Sequence, residues 1–226
     1  MKHLKLTKFE TCLCLVSVLV IVIGFCFAQE KDVLNLISSL IGVISLIYIA
    51  KGNLFGEILS LIFGILYAFI SYQNRLFSEL ITYGFMYVPL SIATIVTWFR
   101  HPYKDEKTVE ITKTSLKQFL LIVLSGFIFT IIFYFILKYL NTPSLYVSTF
   151  SIFTSFIASA LVILRSPYYA LAFALNDIVL IILWTISTIS NVENITILLC
   201  FVVFFFNDIY GFIAWTKRFK LQQKNI

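Results

Sequence analysis

Asp177 and Asp208 are the residues whose chemistry most needs a reason. Each follows an asparagine inside an otherwise apolar run, in "LNDIV" and in "FNDIY". A carboxylate at the centre of a membrane-spanning helix costs about 2.5–3.5 kcal/mol on insertion scales. Two of them, flanked by Asn176 and Asn207, point to a polar site built inside a bilayer. Each acid also has an indole seven residues later, Trp184 after Asp177 and Trp215 after Asp208. Seven residues is nearly two helical turns, so acid and indole share a face. Carboxylates to take charge or hydroxyls, amides to hydrogen-bond and indoles to stack would suit a flat, polar ring, cationic or neutral. Tyr67, Tyr72, Gln73, Tyr87 and Tyr210 are further candidates for this lining. The rival reading keeps the same acids as packing glue, hydrogen-bonded to Ser or Asn of neighbouring helices. Trp98 and Trp215 equally suit interfacial anchoring. Glu57 and Glu79 fall near helix ends, where a carboxylate is expected to reach water.

Other chemistries find little support. His3 and His101 stand apart from one another, and Cys12, Cys14, Cys26 and Cys200 lie in apolar runs without a CxxC pair. No metal site, disulfide or cofactor is therefore expected. GxGxxG, Walker and HExxH patterns are absent. The contexts of Asp177 and Asp208 lack the GxGD pattern of an intramembrane aspartyl protease, and no enzymatic activity is expected.

These residues must be positioned by membrane helices. Hydrophobic residues are 60% of the chain and charged residues 12%, and the mean hydropathy is +0.97. Soluble domains are nearer half apolar and a quarter charged. A spanning helix needs about 20 apolar residues. Such runs occur at 11–28, 34–50, 54–72, 77–99, 116–137, 146–164, 168–190 and 194–216, and only 100–114 is long enough to be a substantial loop. The fold class is all-α, a polytopic membrane protein with eight transmembrane helices. If the N-terminus faces the cytoplasm, Lys31, Arg75 and Lys138 are the only outward-facing basic residues of the 17 Lys and Arg. That bias supports both the segmentation and cytoplasmic termini. The net charge of +6 thus belongs to the loops and is no sign of nucleic-acid binding. Residues 1–28 also have the build of a cleaved signal peptide, but the apolar run is long for one.

Depth agrees with the spans. Asp208 is seven or eight residues from the inner end of its helix, about 10–12 Å, and Asp177 about 13 Å from the inner end of the preceding one. The two acids reach one level near the bilayer centre.

An offset of 117 residues brings "SLIFGILY" (60–67) over "DIVLIILW" (177–184) and "SIATIVTWFR" (91–100) over "DIYGFIAWTK" (208–217). Ser60 then matches Asp177, Tyr67 matches Trp184, Asn74 matches Asn191, Ser91 matches Asp208 and Trp98 matches Trp215. Helices two to four map onto six to eight. With one connector helix between them, the two triplets have the same orientation and form a parallel repeat. The expected organisation is an extra N-terminal helix (1–31), a first triplet (32–100), a loop and connector (101–145), a second triplet (146–218) and a cytoplasmic tail (219–226), with helix five between the bundles.

This 3+1+3 plan, the "YGFIAW" end of the last helix and the matching Trp98 resemble the PnuC family of bacterial vitamin and nucleoside transporters, and the wider SWEET-like fold, over residues 32–218. The resemblance implies uptake of nicotinamide riboside across the cell membrane by facilitated diffusion with alternating access. It implies trapping of the cargo by a cytoplasmic kinase, no cofactor, and a unit that works alone or assembles further. Other members carry thiamine, riboflavin or deoxynucleosides. Family members that carry nicotinamide riboside tend to present amides where this chain has Asp177 and Asp208. The acids keep those other cargoes open, and would also permit proton coupling. A passive channel is the alternative within transport.

Overall fold

The computed structural model describes residues 6–28, 31–104, 108–190 and 192–224. Among the described residues, eight helices are long and apolar enough to cross a membrane. They are α1 (Lys8–Phe27), α2 (Val33–Ala50), α3 (Leu54–Gln73), α4 (Phe77–Arg100), α5 (Leu116–Tyr139), α6 (Leu145–Ile163), α7 (Tyr169–Ser190) and α8 (Ile195–Lys224). Apart from isolated bridges at Asn53–Thr108 and Pro102–Val109, the described residues hold no β-pairing. In hydrocarbon each backbone N–H and C=O must find its partner within the chain, and a helix supplies this segment by segment. Side chains finish the ends. Thr7 and Glu10 form a capping box on α1, Asp32 caps α2, Asn53 caps α3, and Ser115 with Gln118 caps α5.

Six helices close into a ring. In order round it, α2 packs on α3, α3 on α4, α4 on α6, α6 on α7, α7 on α8, and α8 back on α2. The ring maps onto itself when α2, α3 and α4 are exchanged for α6, α7 and α8. The other two helices lie outside it. α1 packs against α2 and α8, and α5 chiefly against α6, so α5 sits at the periphery rather than between the triplets. Its face is correspondingly apolar all round, with only Gly126 and Leu137 buried. A helix bathed in lipid needs no polar side.

Contacts between residues 117 apart mark the axis of the ring. Trp184 donates its indole N–H to the Tyr67 hydroxyl, across a separation of 117. The rings of Trp98 and Trp215, equally spaced in sequence, meet at 5.4 Å between centroids. Each of those indoles reaches into the opposite triplet, Trp98 donating to the carbonyl of Val162 (3.3 Å) and Trp215 to that of Ile49 (2.8 Å). Asn191, matched with Asn74 by the same offset, lies outside the described residues.

α4 is not a regular helix throughout. Residues Thr82–Tyr87 wind as a π-helix, and the Val88 N–H donates back to Tyr83. Pro89, one residue further, has no N–H to give to the preceding turn, and the ladder slips there by one residue.

The segment after α4 is more ordered than a tether. Val109 and Ile111 are buried at the basic end of the bundle, where α8 ends. The Gln222 side chain accepts from the Ile111 N–H (2.8 Å) and donates to the Val109 carbonyl (3.2 Å). The Thr112 N–H donates to Arg165 (3.1 Å). This strap holds α8 in helical form to Lys224, through residues read from the sequence as a tail.

Candidate functional site

The ring encloses a cavity to which all six helices contribute. Its volume open to water-sized molecules is about 40 Å³, so the ring is packed nearly shut around it. Asp177 from α7 and Asp208 from α8 line it together, 2% and 4% exposed. They come from adjacent, closely packed helices and face the same space. No N–H or hydroxyl reaches Asp177 Oδ2. Glu57, 3% exposed, adds a third carboxyl from the first turn of α3.

Aromatic and hydroxyl groups complete the wall. Phe63, Tyr83, Tyr87, Tyr169, Phe173 and Phe204 present rings. Ser60 shares a hydrogen bond with Tyr87. Ser91 and Ser159 line the cavity with hydroxyls that have no partner in the protein. Among the described residues no Lys or Arg lines it. The cavity lies between two packed clusters. Phe63, Tyr83 and Phe204 belong to an aromatic cluster with Tyr67, Trp184 and Phe201 towards one end. Ile49, Val162 and Tyr169 belong to a second with Trp98, Trp215 and Ile111 at the basic end.

The repeat is visible in the lining. Ser60 and Asp177, Ser91 and Asp208, Tyr87 and Phe204, and Ser45 and Val162 are pairs at the 117-residue offset, and all eight side chains face the cavity. The second triplet thus carries acids where the first carries serines.

The remaining sequence candidates go elsewhere. Asn176 Oδ1 accepts from Thr154 (2.7 Å) and Ser155 (2.9 Å), on the α6 side of α7. Asn207 donates to Ser17 of α1 (3.1 Å) and to the carbonyl of Val203 (2.8 Å). Adjacent residues point about 100° apart round a helix, so the amides cannot share the acids' face. Trp184 and Tyr67 bond each other in the aromatic cluster, and Trp215 bonds Ile49; none of the three lines the cavity. Tyr210 donates to Glu10 (3.0 Å), which also accepts from Lys51 (2.9 Å), and so ties α1 to the ring. Tyr72 and Gln73 are exposed.

Two acids expected to reach water do not. Glu57 lines the cavity, and Glu79 is fully buried, accepting from Ser151 (2.9 Å) and Tyr67 (3.5 Å). Their sequence positions are near helix ends, but the strap and the packed aromatic rings cover those ends. Tyr83, Tyr169 and the cavity serines carry no distinctive sequence context; the offset from Asp177 and Asp208 to Ser60 and Ser91 was the signal that could have found two of them.

A bundle of eight spanning helices with carboxyls and rings round a buried central cavity is the build of a membrane transport protein. The chain belongs to the nicotinamide mononucleotide transporter family, whose sequence profile matches residues 32–217. Two similar proteins are both described as nicotinamide riboside transporter PnuC. That of Neisseria mucosa is 27% identical over 219 residues, covering 95% of this chain and 83% of the relative. That of Haemophilus influenzae is 22% identical over 197 residues, covering 86% and 84%. The crystal structure of a vitamin B3 transporter PnuC superposes with a TM-score of 0.85 at 26% identity, covering 96% of this chain and 94% of that one.

Proposed function

We propose that this chain is a cell-membrane carrier that takes up nicotinamide riboside. The observation that carries this reading is the presence of Asp177 and Asp208 together in an aromatic-lined cavity that no Lys or Arg lines among the described residues. Nicotinamide riboside carries a fixed positive charge on a flat pyridinium ring. Such a ring gains from both carboxylates and aromatic faces, and the ribose hydroxyls match Ser91 and Ser159. The mononucleotide adds a phosphate of about −1.5 to −2 charge, which a cavity of three carboxyls, with no Lys or Arg among the described residues lining it, would repel. The cavity chemistry therefore favours the riboside over the nucleotide, in agreement with the descriptions of the relatives.

In this reading residues 32–100 and 146–218 are two matching units that rock about the cavity, giving alternating access, with 1–31 and 101–145 as flanking elements and 219–226 as a cytoplasmic end. Cargo moves down its own gradient, and a cytoplasmic kinase maintains that gradient by phosphorylation. The basic end of the bundle faces the cytoplasm, with both termini.

Calorimetric titration of the purified protein with nicotinamide riboside, nicotinamide mononucleotide, thiamine, riboflavin and deoxynucleosides tests the cargo. Binding of the riboside and not of the mononucleotide is expected. A preference for thiamine, which is also a flat cation, would keep the site and change the cargo. Uptake into vesicles that saturates, and is competed by analogues, separates a carrier from a channel.

A further inference from the structure

We infer that α1 holds the seam between α2 and α8 shut through the transport cycle, and that cargo enters and leaves where α4 meets α6. This rests on the proposed carrier function and names the side of the ring that opens. Two triplets closed into a ring meet at two seams, α2 against α8 and α4 against α6. A rocking movement can part either of them. The 117-residue repeat makes the seams equivalent in outline, but what crosses them differs.

α1 lies along the α2–α8 seam and is bonded to both of its sides. Glu10, 5% exposed, accepts from Lys51 at the end of α2 (2.9 Å) and from Tyr210 of α8 (3.0 Å). Further along α1, Ser17 accepts from Asn207 of α8 (3.1 Å). Towards the far end, Gly24 packs so closely on α8 that a β-carbon there would lie 2.5 Å from the Leu199 side chain. The strap closes the same seam from the basic end. Val109 donates to the Gly52 carbonyl just beyond α2 (2.9 Å), while Gln222 of α8 bonds Val109 and Ile111. Parting α2 from α8 would draw Lys51 or Tyr210 away from Glu10. Separating a buried ion pair leaves an uncompensated charge where little water reaches, which is strongly unfavourable.

The α4–α6 seam has no such cover. α5 precedes α6 as α1 precedes α2, but it packs chiefly on α6. Where α1 has Glu10, the offset gives α5 Phe127, 57% exposed. Ser151 of α6 donates to Glu79 of α4 across the seam towards the far end (2.9 Å), and Trp98 of α4 donates to the Val162 carbonyl of α6 towards the basic end (3.3 Å). Hydrogen bonds of this kind exchange for bonds to water as an end opens. One wall of the seam is also the irregular helix, π-helical over Thr82–Tyr87, and helices bend at such stretches. The two ends of this seam then open in turn, with the α2–α8 seam as their hinge.

Cysteine pairs in the full-length protein, assayed by riboside uptake into vesicles, test this. A β-carbon on Gly211 of α8 would lie 3.9 Å from that of Ala50 of α2, and 3.3 Å from that of Ala170. Ala50→Cys with Gly211→Cys therefore falls within the span of a disulfide, about 3.5–4.5 Å between β-carbons, after a slight shift at Ala170. Uptake by the oxidised pair, its bond confirmed by mass spectrometry, should stay within about twofold of the reduced pair. Loss of uptake on oxidation, regained on reduction, overturns the proposal. A second pair, Glu79→Cys with Ser151→Cys, spans the other seam within reach of a short bifunctional thiol reagent. Linking it should cut uptake to about a tenth, well beyond any effect of the reagent on the parent or on either single variant. Full uptake by this linked pair overturns the proposal even where the first pair does not fold. A parent protein that moves no riboside removes the carrier function, and the hinge with it.

Discussion

Asp177 and Asp208 are a unit, and substitutions should show it. Either acid alone can still serve as counter-ion. Asp177→Asn and Asp208→Asn should each weaken riboside binding modestly. The double variant removes the charge, and should lose thirtyfold or more, about 2 kcal/mol or above, without lowering the melting temperature. Equal effects of the singles and the double on a calorimetric isotherm would contradict this. Asn176 should behave in the opposite way. Its replacement by alanine leaves Thr154 and Ser155 without their shared acceptor, at about 1–3 kcal/mol of stability. Thermal unfolding should detect that loss while affinity stays within about twofold. The acids were legible in the sequence because a carboxylate in an apolar run has a known cost. The roles of Trp184, Trp215 and Tyr67 were not. An indole on the acid's face two turns away is consistent with a pocket and with a packed cluster alike, and only the partners Tyr67, Ile49 and Trp184 decide between them.

At the scale of elements, α4 is the helix whose shape the cavity depends on. It supplies Tyr83 and Tyr87 from the π-helical stretch and Ser91 and Thr94 from the regular turns below it. Pro89→Ala restores a donor to the ladder and allows a continuous α-helix. The residues on either side then rotate relative to one another, so binding should fall at least fivefold, about 1 kcal/mol, while the melting temperature holds or rises. A variant that binds like the parent would show that the irregular turn is incidental. All eight spans could be read from hydropathy, because apolar runs of bilayer length have few alternatives. The reach of α8 to Lys224 could not. Lys217, Arg218 and Lys220 end the apolar signal, and the helix continues because Gln222 finds its partners on a strap more than a hundred residues away.

For the whole molecule, the ring and its two outer helices have one more regularity than the offset suggested. α1 precedes α2 and packs on it as α5 precedes α6 and packs on that. The supposed extra helix and the supposed connector thus occupy comparable seats, and the chain reads as two sets of four. The C-terminus should lie in the cytoplasm, and a phosphatase fused after Lys224 should be inactive; activity there would reverse the orientation of every helix. Tyr67 and Trp184 add a different kind of information. They are the same position counted twice, each resting against its own counterpart, so the joint between the two halves is made of a residue facing its image. A joint of that kind does not record which half owns which side chain. Tyr67→Trp alone and Trp184→Tyr alone should each disturb a fully buried contact, by overfilling it or leaving it hollow, at about 1–3 kcal/mol. Made together they hand the two rings across the axis, and most of the lost melting temperature should return.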